Sequence, residues 1–270
     1  MGAIAHGVAG DFQFVPGAEL AAVASRTKEK AQEFAARHGV KHAYGSYREL
    51  LESPEVDVVY ISTPHPYHRD VALAAIANGK SVLVEKAFTA TLVGAQQVVD
   101  AARAKGVFAM EAMWTRFLPS TDIVRQLLAN AELGDVETLF ADHGQWFGLD
   151  PASRLFAPEL AGGALLDLGV YCVHPLVDLF GEPQTVTRAE VTLSTGADGA
   201  AVLLATYPGL VADLSASKIT ASSLPSQIQG EAATMLIDHI ALPRRIVIEP
   251  IGGSPREILV EGPPNNLGYE

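Results

Sequence analysis

The chain has 270 residues, 49% of them apolar, which suffices for two ordinary domains with buried cores. Its formal net charge of −12 argues against nucleic acid and against an anionic membrane surface, since both need a basic face; a small soluble ligand suits an acidic protein better. The lone cysteine, Cys172, excludes an intrachain disulfide, no apolar run reaches the roughly 18–20 residues of a membrane span, and no signal peptide is visible, so the expected setting is the cytoplasm.

The first residues, Met1 to Gly7, lead straight into helical sequence. In a dinucleotide-binding fold a buried strand and Gly-x-Gly-x-x-Gly/Ala come first. Here Gly2 and Ala5 stand where the second and third small residues would be, with Ile4 between them. The strand and the first glycine are missing, so the chain reads as a fragment, a miscalled start or a truncated product.

Residues 20–24 form a short apolar run ending in Ser25, Arg26 and Thr27. Where an acidic residue would accept from the ribose of NAD, this sequence offers donors and a guanidinium, which suit the 2′-phosphate of NADP. The plain alternative is a solvated loop. A helix follows over 29–38, closed by Gly39, then a β-branched strand over 56–62. It ends in Thr63-Pro64-His65-Pro66-Tyr67-His68, at the strand end where open α/β sheets place ligands. Thr63 and Pro64 would line a cofactor, and His65 and His68 serve it or simply pack and cap, with His68 starting the next helix. Two histidines without further ligands at useful spacing do not make a metal site.

A helix over 70–78 is closed by Gly79, and a strand over 81–84 ends in Glu85-Lys86. A lysine there points into the ligand crevice, where its ammonium can steady an alkoxide as hydride leaves carbon. Glu85 would orient it or touch the cofactor; a surface ion pair is the bland reading. A helix over 91–105 and a strand over 107–111 complete a parallel sheet with helical crossovers. Trp114 and Arg116, at the junction of the two halves, would meet cofactor or substrate, or be buried.

Beyond residue 112 the pattern changes. A helix over 119–130 precedes alternating strands over 136–146, 185–194, 200–208, 211–217, 228–230, 234–238 and 245–249, interrupted by a helix over 164–180. This is an α+β domain with a largely antiparallel sheet. The expected division is residues 1–112 for dinucleotide binding and 113–270 for substrate binding and oligomerisation. Gly162-Gly163 opens the helix, Asp167 and Tyr171 share one face, and Tyr171 could pass a proton if a nearby cation lowers its pKa. His174, one turn further, could also face substrate, and Pro175 is expected to kink or restart the helix.

Together, Ser25-Arg26, Thr63-Pro64 with His68, Gly79-Lys80-x-Val82 with Glu85-Lys86, Met110–Phe117 and Gly163–Tyr171 resemble the glucose-fructose oxidoreductase/inositol dehydrogenase (Gfo/Idh/MocA) family. Within it they are most similar to dimeric dihydrodiol dehydrogenases and NADP-dependent xylose dehydrogenases. The resemblance implies a Rossmann domain followed by an open-faced sheet domain that covers the active site and pairs subunits. It implies Lys86 as the catalytic lysine, Tyr171 as acid/base and Asp167 as the active-site aspartate. The reaction implied is hydride transfer between NADP, with NAD less favoured, and a CH–OH group of a sugar or trans-dihydrodiol. A catalytically inactive relative with weak cofactor binding is the alternative, and glycoside cleavage through a tightly held nicotinamide a weaker one. Three departures stand out. Ala87 replaces the proline after Glu-Lys, so a trans Lys86–Ala87 bond and a shifted Lys86 are expected, because cis bonds before other residues are strongly disfavoured. The first strand and a C-terminal segment are also missing.

Overall fold

The computed structural model describes residues 2–262, in two units, residues 2–114 and Thr115–Gly262. In the first, short β-branched runs alternate with helices. The order is α1 (Ala3–Asp11), β1 (Ala22–Ala24), α2 (Lys28–His38), β2 (His42–Tyr44), α3 (Tyr47–Leu51), β3 (Val58–Ile61), α4 (His65–Ala77), β4 (Ser81–Glu85), α5 (Leu92–Lys105) and β5 (Ala109–Ala112). Local chemistry sets the helix ends. Thr91 accepts from the Gly94 amide at the start of α5, and Gly106 closes it in the left-handed conformation, φ 72°.

All strands of this unit pair in parallel, but in two sheets: β1 with β2, and β3-β4-β5. Among the described residues β1, β2, β3 and β5 therefore each keep one edge without a ladder. The apolar residues of β3 and β4 pack with Ala72, Ile76 and Val98 of α4 and α5, whereas Ala5 of α1 packs with Val23, Phe34 and Val40 around the smaller sheet. The expected start of the fourth helix near His68 is corrected to His65: Pro66 fits the first turn, where no amide donor is needed.

The second unit runs α6 (Pro119–Ala129), β6 (Val136–Gly144), α7 (Val170–Phe180), β7 (Thr185–Thr192), β8 (Asp198–Tyr207), β9 (Leu210–Ser217), β10 (Ser226–Gly230), β11 (Ala233–Ile237), β12 (Arg245–Pro250) and β13 (Arg256–Leu259). One eight-stranded sheet has the order β13-β12-β11-β10-β6-β9-β8-β7. Every pairing is antiparallel except β6 with β9. Alternation divides the faces: Leu139, Ala141, Ala212, Leu214, Ala216 and Ile228 are buried, while Phe140, Val202, Leu204 and Val211 are exposed.

Helix α7 differs from expectation. It runs through Pro175 unbroken, and the irregularity lies earlier, as a π turn over Leu165–Gly169. The segment Pro158–Phe180 is long and apolar enough for a membrane span, which corrects the composition-based reading; here Tyr171, Cys172 and Leu176 are buried within the unit.

Candidate active site

The first unit carries its candidate residues at the N-terminus of α1 and at the C-terminal ends of β1, β3 and β4. Gly2 caps α1, whose first amides are thereby directed at whatever lies before the helix; Ala5 is buried in the small core and Ile4 is half-buried. Ser25 follows β1, buried, with its amide donating to Tyr44 O at 3.2 Å, and the Arg26 side chain beside it is exposed. At the end of β3 the Thr63 hydroxyl is buried and has no hydrogen-bond partner among the described residues. An orphaned hydroxyl, a helix N-terminus and an exposed guanidinium are the donor set a dinucleotide takes: hydroxyl to an amide or ribose, amides to the pyrophosphate, arginine to a phosphate. The residues present thus fit a nicotinamide dinucleotide. Pro64 caps α4 from an extended conformation.

His65 and His68 do something the sequence left open. His65 Nε2 lies 3.1 Å from the carbonyl oxygen of Lys86, and His68 Nδ1 lies 3.0 Å from that of Ala87. The other nitrogen of His68 is 2.6 Å from Thr63 O. Burial pushes the His68 pKa down, and the carbonyls of Thr63, Ala87 and Phe88 oppose that. The two rings therefore buttress the loop that carries Lys86. The Lys86–Ala87 peptide is cis, which corrects the expected trans bond. Both flanking carbonyls are taken by histidine rings, and the Phe88 amide donates to Glu111 Oε1 at 2.7 Å, so contacts from α4 and β5 set the loop.

Glu85 is buried and accepts from Tyr60 OH at 2.5 Å and from the Lys86 amide at 3.2 Å. Burial raises the pKa of Glu85, and likewise that of Glu111; the Lys86 charge lowers both. Lys86 is thus half-buried near two carboxyls. Tyr60 and Glu111 are neighbours to which the sequence reading gave no role, although Glu111 lies in the Met110–Phe117 stretch. Tyr60 lay inside an apolar strand, where a hydroxyl was the one available signal.

Trp114 opens a short 3₁₀ turn and is half-buried. Arg116 donates from Nε to Asp178 Oδ1 at 2.9 Å, and Arg125 takes the other oxygen at 2.6 Å. The Arg116 guanidinium is thus engaged by α7.

In the second unit, Asp167 sits on the π turn, and Tyr171 one turn later in α7; both are 8% exposed. The turn is held at its head by Asp198 of β8, whose Oδ2 accepts from the Leu165 amide at 2.7 Å. A Cβ on Gly163, φ 149°, would overlap that carboxylate, which explains the diglycine. The His143 ring of β6 stacks on Tyr171 at 5.2 Å between centroids, with Gln145 Nε2 3.0 Å from His143 Nε2. Lys218, fully buried after β9, places Nζ 2.9 Å from Asp167 Oδ2. None of His143, Asp198 and Lys218 was expected. His174 turns elsewhere: it lines an apolar cavity with Val124, Leu139, Ala141 and Ile228, its Nε2 has no hydrogen-bond partner among the described residues, and burial lowers its pKa.

Comparison with known proteins gives two family matches. Residues 1–113 match an oxidoreductase family with an NAD-binding Rossmann fold, and residues 122–236 match the GFO/IDH/MocA C-terminal domain. The chain is 38% identical over 258 residues to scyllo-inositol 2-dehydrogenase (NADP(+)) IolU of Bacillus subtilis, covering 93% of this chain and 78% of that one. It is 35% identical over 256 residues to trans-1,2-dihydrobenzene-1,2-diol dehydrogenase of Macaca fuscata fuscata, with 93% and 75% covered. Among solved structures, an NAD binding oxidoreductase from Klebsiella pneumoniae superposes with a TM-score of 0.83 at 26% identity, over 94% of this chain and 74% of the other. An aldose-aldose oxidoreductase from Caulobacter crescentus, at 24% identity and a TM-score of 0.87 over 97% and 82%, shares the fold.

Proposed function

The chain belongs to the Gfo/Idh/MocA oxidoreductase family and is an NAD(P)-dependent dehydrogenase; on that premise we propose that it transfers hydride between NADP and a CH–OH group of a sugar, cyclic polyol or trans-dihydrodiol. The observation that carries the proposal is the Lys86 loop: a lysine at the end of β4, its carbonyl taken by His65, with buried Glu85 and half-buried Glu111 nearby. When bound, the nicotinamide supplies the hydride acceptor or donor. Lys86 donates to the reacting oxygen and stabilises the negative charge that develops there. Tyr171 takes the hydroxyl proton in oxidation and returns it in reduction, and Asp167 orients the reacting group.

For the cofactor, Gly2, Ile4 and Ala5 would approach the pyrophosphate, and Thr63, Pro64, Glu85 and Trp114 the nicotinamide end. The preference for NADP rests on Arg26 and Ser25 and is supported by the NADP(+) in the name of the Bacillus relative. Arg116, tied to Asp178, acts on the cofactor only indirectly. The exposed Phe140, Val202, Leu204 and Val211 on one sheet face support pairing of two copies through that face. The reading of an inactive relative finds no support in the comparisons.

The test is a fluorescence titration with NADPH and NADH, followed by turnover on scyllo-inositol, aldoses and trans-1,2-dihydrobenzene-1,2-diol. Tighter NADPH binding with turnover on one substrate class is the expected result. Preference for NADH overturns the cofactor assignment, and absence of turnover on all three overturns the substrate assignment.

A further inference from the structure

Lysine is almost never fully buried without a reason, and Lys218 is 0% exposed. Its backbone is fixed: the amide donates to Gly199 O at 2.8 Å, and the carbonyl accepts from the Phe147 amide at 2.9 Å, continuing the β6–β9 ladder past Ser217. Its parity in β9 is that of Ala212, Leu214 and Ala216, so the side chain enters the face covered by the π turn. There Nζ meets two oxygens, Asp167 Oδ2 at 2.9 Å and Leu155 O at 3.2 Å. An ion pair this deep contributes little net stability, because desolvation offsets the attraction, and an apolar replacement of both partners is often neutral. What the pair does provide is one ionisation state and one position for Asp167, four residues before Tyr171.

We propose that Lys218 is a positioning residue of the reaction: its buried ammonium holds Asp167 as a carboxylate, in a fixed rotamer, on the turn that leads into Tyr171. This rests on the dehydrogenase mechanism given above, and it adds a charge that mechanism did not use. The titratable groups on the elements packed against the turn are Glu137, Asp142 and His143 of β6, Asp198 and Tyr207 of β8, Asp213 of β9, Tyr171, Cys172, His174 and Asp178 of α7, and Lys218 after β9. Of the groups on these elements, Lys218 is the one with a fixed positive charge. Asp198 adds negative charge at the head of the turn, where it accepts from the Leu165 amide.

The first experiment is an infrared difference spectrum of the whole protein against Asp167→Asn, which isolates the Asp167 carboxyl without substrate. An ionised carboxylate at neutral and mildly acidic pH is expected; a protonated acid there overturns the proposal, whether or not any Lys218 variant folds. The second uses Lys218→Met. Its Asp167 is expected to become protonated, with kcat lowered by about thirtyfold or more and with KM and the NADPH Kd changed by less than about threefold. The double variant Lys218→Met/Asp167→Asn is expected to be no slower than Asp167→Asn, because one residue acts through the other. An Asp167 that stays ionised in Lys218→Met, or losses that multiply in the double variant, overturns the assignment. If the wild type turns over none of the substrates tested, the infrared result still decides the Lys218–Asp167 coupling, and only the mechanism above fails.

Discussion

Lys86, Glu85 and Arg26 occupy two strand ends of one parallel unit, yet their environments differ sharply. Arg26 is exposed and hydrated, so its contribution is confined to what binds there. Arg26→Ala is expected to weaken NADPH by about 1.5–3 kcal/mol, the worth of a hydrogen bond to a charged group, and to leave NADH unchanged; parallel fluorescence titrations measure both. Glu85 is buried, and burial raises its folded-state pKa. A raised carboxyl contributes stability that is full below the ordinary carboxylate pKa and is lost as pH rises through the folded value. Glu85→Gln keeps an acceptor for Tyr60 and removes the buried ionisation. Its stability relative to the wild type is therefore expected to improve as pH rises through that window, and urea melts across it measure the crossover. A flat difference between the two proteins would mean that Glu85 titrates alike folded and unfolded.

The π turn and the Lys86 loop are the two elements to which we assign the chemistry, and both are held by residues distant in sequence. Asp198 of β8 secures the turn at the Leu165 amide, and Gly163 leaves room for that carboxylate. Gly163→Ala adds a Cβ where φ is 149° and Asp198 already sits. It is expected to cost about 2 kcal/mol or more, read from the denaturation midpoint, and to lower kcat because Asp167 rides on the turn. The Lys86 loop is held by His68, whose ring meets the carbonyls of Thr63 and Ala87. His68→Ala removes the ring and the N–H with which it serves this buried pair of carbonyls, with an expected loss of about 2 kcal/mol and a fall in kcat larger than any change in KM. Helix and strand positions in these regions were legible from periodicity. The anchoring contacts were not, because nothing in the spacing of a His-Pro-Tyr-His segment says which carbonyls, some twenty residues on, its rings will meet.

Among the described residues, the outer face of the eight-stranded sheet exposes several large apolar side chains together. Phe140 and Leu204 lie on either side of Asp213 in register across β6, β9 and β8, and Val202 and Val211 extend the same face. We propose that a second copy of the chain, with its matching twist, covers this face. Leu204→Glu is expected to raise the dimer Kd by about tenfold or more, measured by light scattering over a dilution series, while the NADPH Kd is unchanged. A wild type that stays monomeric at high concentration would refute the pairing.

Alternation and period were sufficient to place the parallel and antiparallel halves, because burial of one strand face or helix stripe is written locally in the order of apolar residues. Alternation followed one residue past the strand over 211–217 puts Lys218 on the buried face of β9. Tertiary structure alone decided the cis Lys86–Ala87 bond, the π turn ahead of α7 rather than a kink at Pro175, the buttressing roles of His65 and His68, and the Lys218–Asp167 pair. Each of these depends on which polar group arrives from a distant part of the chain to satisfy a buried carbonyl, amide or charge, and that is settled by packing rather than by any local pattern.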